Sequence, residues 1–186
     1  MTKNITRSLS DNQQKDLIRL FDQVCYRHNR WNVWADFVMM TAISISNIVD
    51  KSHFESREKT YLVLAGKYNE KELQGMAKMF AAIIEGMEKK PNQDFLGELF
   101  MLLNFGSDSR GQVFTPYHLC EAMARMTAGN LKEQIRYQGW ISVNDPACGA
   151  GATLIAFANE CLRQGINYQT DVLFTAQDID SVVDCM

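Results

Sequence analysis

The sequence predicts an α/β protein in which a helical N-terminal region leads into the opening of a parallel sheet. Three observations predict it. Up to about residue 105 the apolar side chains recur only at helical spacing, with no strand-like alternation. At Gly106 the texture changes to a run of glycine, serine and aspartate. Beyond it a strand, a glycine loop, a helix and a second strand follow in order, and strands joined through a helix pair in parallel. The domains implied are a helical region over 1–105 and a partial α/β domain over 106–186.

The elements follow in chain order. Ser10 is placed to cap a first helix whose Leu17, Leu20, Phe21 and Val24 share one face. A second helix is predicted from near Asn32, with Trp34, Phe37, Val38 and Thr41 inward. Phe54 to Tyr68 makes a third. Asn69 and Glu72 have the spacing of a capping box, in which two side chains satisfy free backbone N–H groups reciprocally. The fourth helix that they open carries a stripe of Met76, Phe80, Ile83 and Met87, the signature of a core-facing side. Pro91 and Asn92 break the pattern before a short helix over Asp94 to Leu103. After the Gly106 to Gly111 loop, Thr115 is the expected N-cap of a helix with Pro116 at its first position. Trp140 to Asn144 and Val172 to Gln177 read as strands, flanking a helix over Ala152 to Arg163.

Composition narrows the function classes. The chain has 186 residues, 46% hydrophobic and 22% charged, with a net charge of −3. That balance fits a folded globular protein. A protein that grips nucleic acid unaided usually shows a basic stripe, because phosphate neutralisation supplies most non-specific affinity. No dense lysine or arginine block occurs here. The five cysteines are scattered, without a CxxC pair or zinc-ligand spacing, which suits reduced thiols in a cytoplasm. The first ten residues are polar and lack a signal-peptide core. Val33 to Ile48, interrupted by Asp36, Thr41, Ser44 and Ser46, reads as too short and too polar to cross a bilayer. A cytoplasmic protein without membrane contact is expected.

The informative segment is Asp145-Pro-Ala-Cys-Gly149-Ala-Gly151, between a strand and a helix. Small residues there admit a ligand close to the backbone, and glycines reach angles that other residues cannot. A dinucleotide fingerprint would need glycine where Leu154 stands, and a phosphate loop would need a lysine that is absent. What remains is a loop with an acid at the strand end, suited to a ligand bearing a positive amino group. S-adenosylmethionine is such a ligand.

These residues carry a family resemblance. Asp145 to Gly151 resembles the first motif of amino-methylating DNA methyltransferases, above all the modification subunits of type I restriction systems. Gly111-Gln-Val-Phe-Thr-Pro116 is similar to the segment with which that family closes over the methionine end of its cofactor. Ala176-Gln-Asp-Ile-Asp180 resembles the acidic motif after the second strand. The three occur in the family's order and span about residues 106 to 180. The resemblance implies N6-adenine methylation of DNA and a Rossmann-like domain binding S-adenosylmethionine. It further implies that Thr115 and Asp145 hold the amino-acid end of the cofactor, with Phe114, in the closing segment, among the cofactor-binding residues. Ala147 and Gly149 would line the loop, and Asp178 would accept both ribose hydroxyls. Two departures, Asp178 where glutamate is commoner and Ala150 where serine or threonine is commoner, imply weaker binding. DNA, a specificity or restriction subunit, or a second copy of the chain are the partners implied.

One family feature is missing. The exocyclic N6 of adenine is a poor nucleophile, and family members position it with an Asn/Asp-Pro-Pro-aromatic loop acting on a flipped-out base. The three prolines here, Pro91, Pro116 and Pro146, are never adjacent. No catalytic residue and no metal ligand is therefore assigned. The expectation is the cofactor-binding part of an enzyme, inactive in methyl transfer by itself. A non-catalytic module that docks on DNA or protein is the alternative, and methylation of a protein or small molecule is a third reading. His28, His53 and His118, the three tryptophans, Arg27, Arg30 and Lys51 read as structural or solvated residues, and Asp180 as a helix cap.

Overall fold

The computed structural model describes residues 12–105 and 114–186. The Ser10 cap and the loop and motif residues from Gly106 to Val113 lie outside them. The chain divides into two units, 1–89 with Cys185 and Met186, and 90–184.

Among the described residues of unit 1 every regular element is a helix: α1 (Asn12–Val24), α2 (Arg30–Val49), α3 (Phe54–Ala65) and α4 (Glu70–Lys89). Leu17, Phe21 and Val24 of α1 are buried as their spacing predicts, joined by Ile18, while Leu20 is half-buried. The α2 helix starts before the expected Asn32, because the Asn29 side chain accepts the Asn32 N–H and caps it. Its inner side buries Trp34, Phe37 and Val38, with Val33, Met40 and Ile43. At 20 residues this helix is long and apolar enough to cross a membrane, so the expectation that the segment is too short is corrected. Its polar side chains are nevertheless built into unit 1. Buried Asp36 accepts bonds from Lys67 at 3.0 Å and the Tyr68 hydroxyl at 2.7 Å, and buried Asn47 bonds Arg57 and Glu58. α3 stops at Ala65 instead of Tyr68, with Gly66 as its C-cap, and Lys67 and Tyr68 beyond it bond Asp36.

The capping box forms. Glu72 accepts the Asn69 N–H at 2.8 Å, and Asn69 accepts the Glu72 N–H at 3.0 Å. Along α4 the buried stripe is Met76, Met79, Ile83 and Gly86; Phe80 is half-buried and Met87 exposed, one helical row off the expected stripe. Arg27, at 2.9 Å, and His28, at 3.3 Å, also meet the Glu72 carboxylate. The Asn69 N–H, followed by the Arg27 and His28 bonds, holds the Glu72 carboxyl down at about 2. A carboxyl lowered on folding stabilises the fold above its ordinary value of 4.5, and that contribution disappears as pH falls from there towards 2. Urea unfolding of the whole chain should show wild type more stable than Glu72→Gln at neutral pH, with the gap closing over that acid window. A gap independent of pH would show that the carboxylate charge contributes nothing.

Unit 2 contains α5 (Phe95–Leu102), α6 (Tyr117–Ala128), α7 (Leu131–Gln138), β1 (Ile141–Asp145), α8 (Ala152–Arg163), α9 (Tyr168–Asp171), β2 (Val172–Ala176) and α10 (Ser181–Asp184). The two strands pair in parallel, from Ile141 opposite Val172 to Asp145 opposite Ala176. The predicted strand, helix, strand order is therefore observed. The chain is mostly helical with a short two-stranded parallel sheet, consistent with an α/β class. α6 and α8 pack closely through small side chains, Cys120, Ala124, Ala152 and Ala156. A second cluster, Ala128, Leu131, Ile141, Cys161 and Ile166, lies against the inner face of the sheet. α7 is an addition to the predicted elements, although Asn130 caps its start and left-handed Gly139 ends it.

α5 is grouped with the strands rather than with the N-terminal helices, for a tertiary reason. The Phe100 ring lies 5.2 Å from that of Phe114, and Asn92 bonds the Tyr117 hydroxyl and Glu121. Asp94 caps α5 by accepting the Gly97 N–H at 2.9 Å. Burial pushes its carboxyl above the ordinary range. A Cβ at Gly97 would lie 2.1 Å from the Asp94 carboxylate. Gly97→Ala should therefore displace the cap and cost about 1–2 kcal/mol in unfolding free energy. A variant as stable as wild type in urea would show that the carboxyl relocates freely.

Candidate functional site at the strand ends

Asp145 ends β1, and the loop Pro146 to Gly151 turns directly into α8. The loop is tied to the end of β2 by backbone bonds on both sides: Gln177 N–H to the Asp145 carbonyl, and Cys148 N–H to the Gln177 carbonyl, each 3.0 Å. Gly149 and Gly151 take positive φ values of 56° and 81°, which glycine adopts without the penalty that a side chain meets.

Two carboxylates brace this loop. Asp145 accepts the Ala147 N–H at 3.1 Å through one oxygen and the Thr153 hydroxyl through the other. It does not cap α8, whose N-cap is Gly151. Asp178 accepts the Gly149 N–H at 3.0 Å and the Asp180 N–H at 2.9 Å. Asp180 in turn caps α10 through the Val182 N–H at 2.9 Å, the capping role expected of it.

The segment before α6 completes the surroundings. Pro116, not Thr115, is the residue at the N-cap, and no side-chain hydrogen bond caps this helix. Thr115 is thereby left to face a cavity of about 90 Å³ lined by Phe114, Thr115, Cys120, Asp145, Ala147, Cys148, Gly149, Ala150, Ala152 and Thr153. Of the residues predicted from the sequence, Phe114, Thr115, Asp145, Ala147 and Gly149 meet around this cavity. Asp178 does not line it but accepts the N–H of Gly149, which does. Phe114 and Thr115 also line a larger groove of about 820 Å³ with Asp94, Met101, Tyr117 and His118.

The electrostatics are one-sided. Among the described residues, no lysine or arginine lines the small cavity. Burial and then the carboxylates of Asp184, Asp145 and Asp178 push the Cys148 thiol above its ordinary range. Such a field favours a cation and opposes a thiolate nucleophile. Sequence reasoning missed Thr153. A signal was present, because side chains in the first turn of a helix tilt towards its N-terminus and so towards the loop.

A parallel strand, glycine loop, helix and strand, with acids at both strand ends, are the elements of an α/β unit. The N-6 DNA methylase family model matches residues 91–183, half of the chain, and the chain belongs to this family. Its function is accordingly related to DNA methylation. Neither the curated proteins nor the solved structures contain a match.

Proposed function

We propose that this chain is the S-adenosylmethionine-binding part of a DNA adenine-N6 methyltransferase of restriction–modification type. The observation that carries the reading is the acid-flanked cavity at the strand ends, walled by the glycine loop and Phe114-Thr115, with no lysine or arginine among its described lining residues. S-adenosylmethionine carries an ammonium and a sulfonium, and both suit this field. In this reading Thr115 and Asp145 hold the amino-acid end, and Phe114 closes over it. Ala147 and Gly149 give the backbone close access to the ligand. Asp178 keeps acceptor capacity for the ribose diol while bracing the loop, since each carboxylate oxygen has two lone pairs. A pocket that encloses a drug-sized ligand is usually at least about 300 Å³. The 90 Å³ cavity therefore takes the amino-acid end, with the nucleoside across the strand ends.

The corresponding fold assignment is a helical region over 1–105 and a partial Rossmann-like methyltransferase domain over 106–186, with α5 packed on the latter. The 186 residues contain no adjacent prolines, so the reading gives this chain cofactor binding and not the transfer step. DNA, held weakly, and a specificity or restriction subunit are the partners it proposes, in the cytoplasm.

Calorimetric titration of S-adenosylmethionine into the chain is the test. One site per chain is the expected result. No heat up to millimolar ligand would remove the cofactor reading and favour a module that binds DNA or protein without catalysis.

A further inference from the structure

We propose that Thr153 is a positioning residue for the cofactor's ammonium, acting through Asp145; this rests on the cofactor reading above. An ionised carboxylate only accepts hydrogen bonds, so the contact between the Thr153 hydroxyl and the second Asp145 oxygen has the threonine as donor. The first oxygen is taken by the Ala147 N–H at 3.1 Å. Two donors on different oxygens fix the plane of the carboxylate. Without the hydroxyl, among the described residues only the Ala147 N–H bonds the Asp145 carboxylate.

The placement of Thr153 supports an orienting role. It sits in the first turn of α8, both it and Asp145 line the small cavity, and β-branching restricts its χ1. The remaining lone pairs of Asp145 are thereby held in a set direction at the cavity. A carboxylate already oriented loses less freedom when a ligand ammonium arrives. Thr153 need not touch the ligand for this to operate.

The experiment compares two ligands on the full chain. S-adenosylmethionine has the amino-acid end, whereas 5′-methylthioadenosine keeps the nucleoside and lacks it. Thr153→Val and Thr153→Ala both remove the hydroxyl, and neither is a weaker helix former than threonine. Each should weaken S-adenosylmethionine roughly tenfold, as expected for losing one hydrogen bond to a charged group. Each should leave methylthioadenosine affinity at the wild-type value. Thr153→Ser should restore S-adenosylmethionine binding. Unchanged S-adenosylmethionine affinity in the hydroxyl-free variants overturns the proposal. So does an equal loss for both ligands, which would mark a general collapse of the loop, or a serine variant that fails to rescue. Wild type that binds neither ligand is a distinct outcome, and it removes the cofactor reading itself.

Discussion

Asp145→Asn should lower the affinity for S-adenosylmethionine by roughly 10- to 100-fold while the chain stays folded. Hydrogen bonds to charged groups are worth about 1.5–3 kcal/mol, and each 1.4 kcal/mol is a factor of ten. The asparagine oxygen can still accept the Ala147 N–H, and its amide N–H can donate to the Thr153 hydroxyl, so both contacts of this side chain can persist. What disappears is the negative charge opposite the ligand's ammonium. Asp145→Ala removes brace and charge together, so it should cost at least as much affinity and lower the thermal midpoint as well. Calorimetry on the three proteins, with thermal unfolding alongside, separates the two effects. Equal affinity in wild type and Asp145→Asn would mean that the carboxylate braces the loop without holding the ligand.

The second large effect concerns the glycine at the centre of the loop. At Gly149 the φ is +56°, and a Cβ would lie 3.2 Å from two carbons of the Phe114 ring. Gly149→Ala therefore meets two penalties, about 1–2 kcal/mol for a left-handed backbone and about 1–3 kcal/mol for overpacking. For a unit of this size the sum, about 2–5 kcal/mol, lowers the thermal midpoint by roughly 8–40 °C. Gly151 supplies the control. Its φ is +81°, but among the described residues a Cβ there would have no neighbouring atom within 4 Å, so Gly151→Ala is expected to meet the backbone penalty alone. The double variant Gly149→Ala with Phe114→Leu should recover part of the packing loss and none of the backbone loss. Equal midpoints for the two single alanine variants would show that Phe114 simply moves aside. Because Phe114 also touches the proposed ligand position, Gly149→Ala should weaken cofactor binding more than Gly151→Ala does.

Much of the site was legible because it is local. Asp145, Ala147 and Gly149 fall within one short loop, and the alternation of strand, loop and helix around them is written in consecutive residues. A capping box such as Asn69 and Glu72 is likewise legible, since both partners lie within one helical turn. The buried row of α4 was less so. A helix with apolar residues on adjacent rows offers more than one face, and packing selected Met79 and Gly86 over Phe80 and Met87.

By itself the sequence determined the class of elements, their order, the glycine loop and the acids at both strand ends. These depend on backbone preference and on side-chain pattern over a few residues. Tertiary structure decided which distant groups meet. It placed Phe114 against Gly149, Asp178 on the Gly149 N–H 29 residues away, Phe100 of α5 against Phe114, and Asn92 on Glu121 of α6. It also turned Thr115 from an expected helix cap into a cavity wall and gave Asp145 the hydroxyl of Thr153. The physical reason is that a hydrogen bond or ring contact across the sheet depends on where two chain segments come to rest. No spacing within either segment encodes that distance.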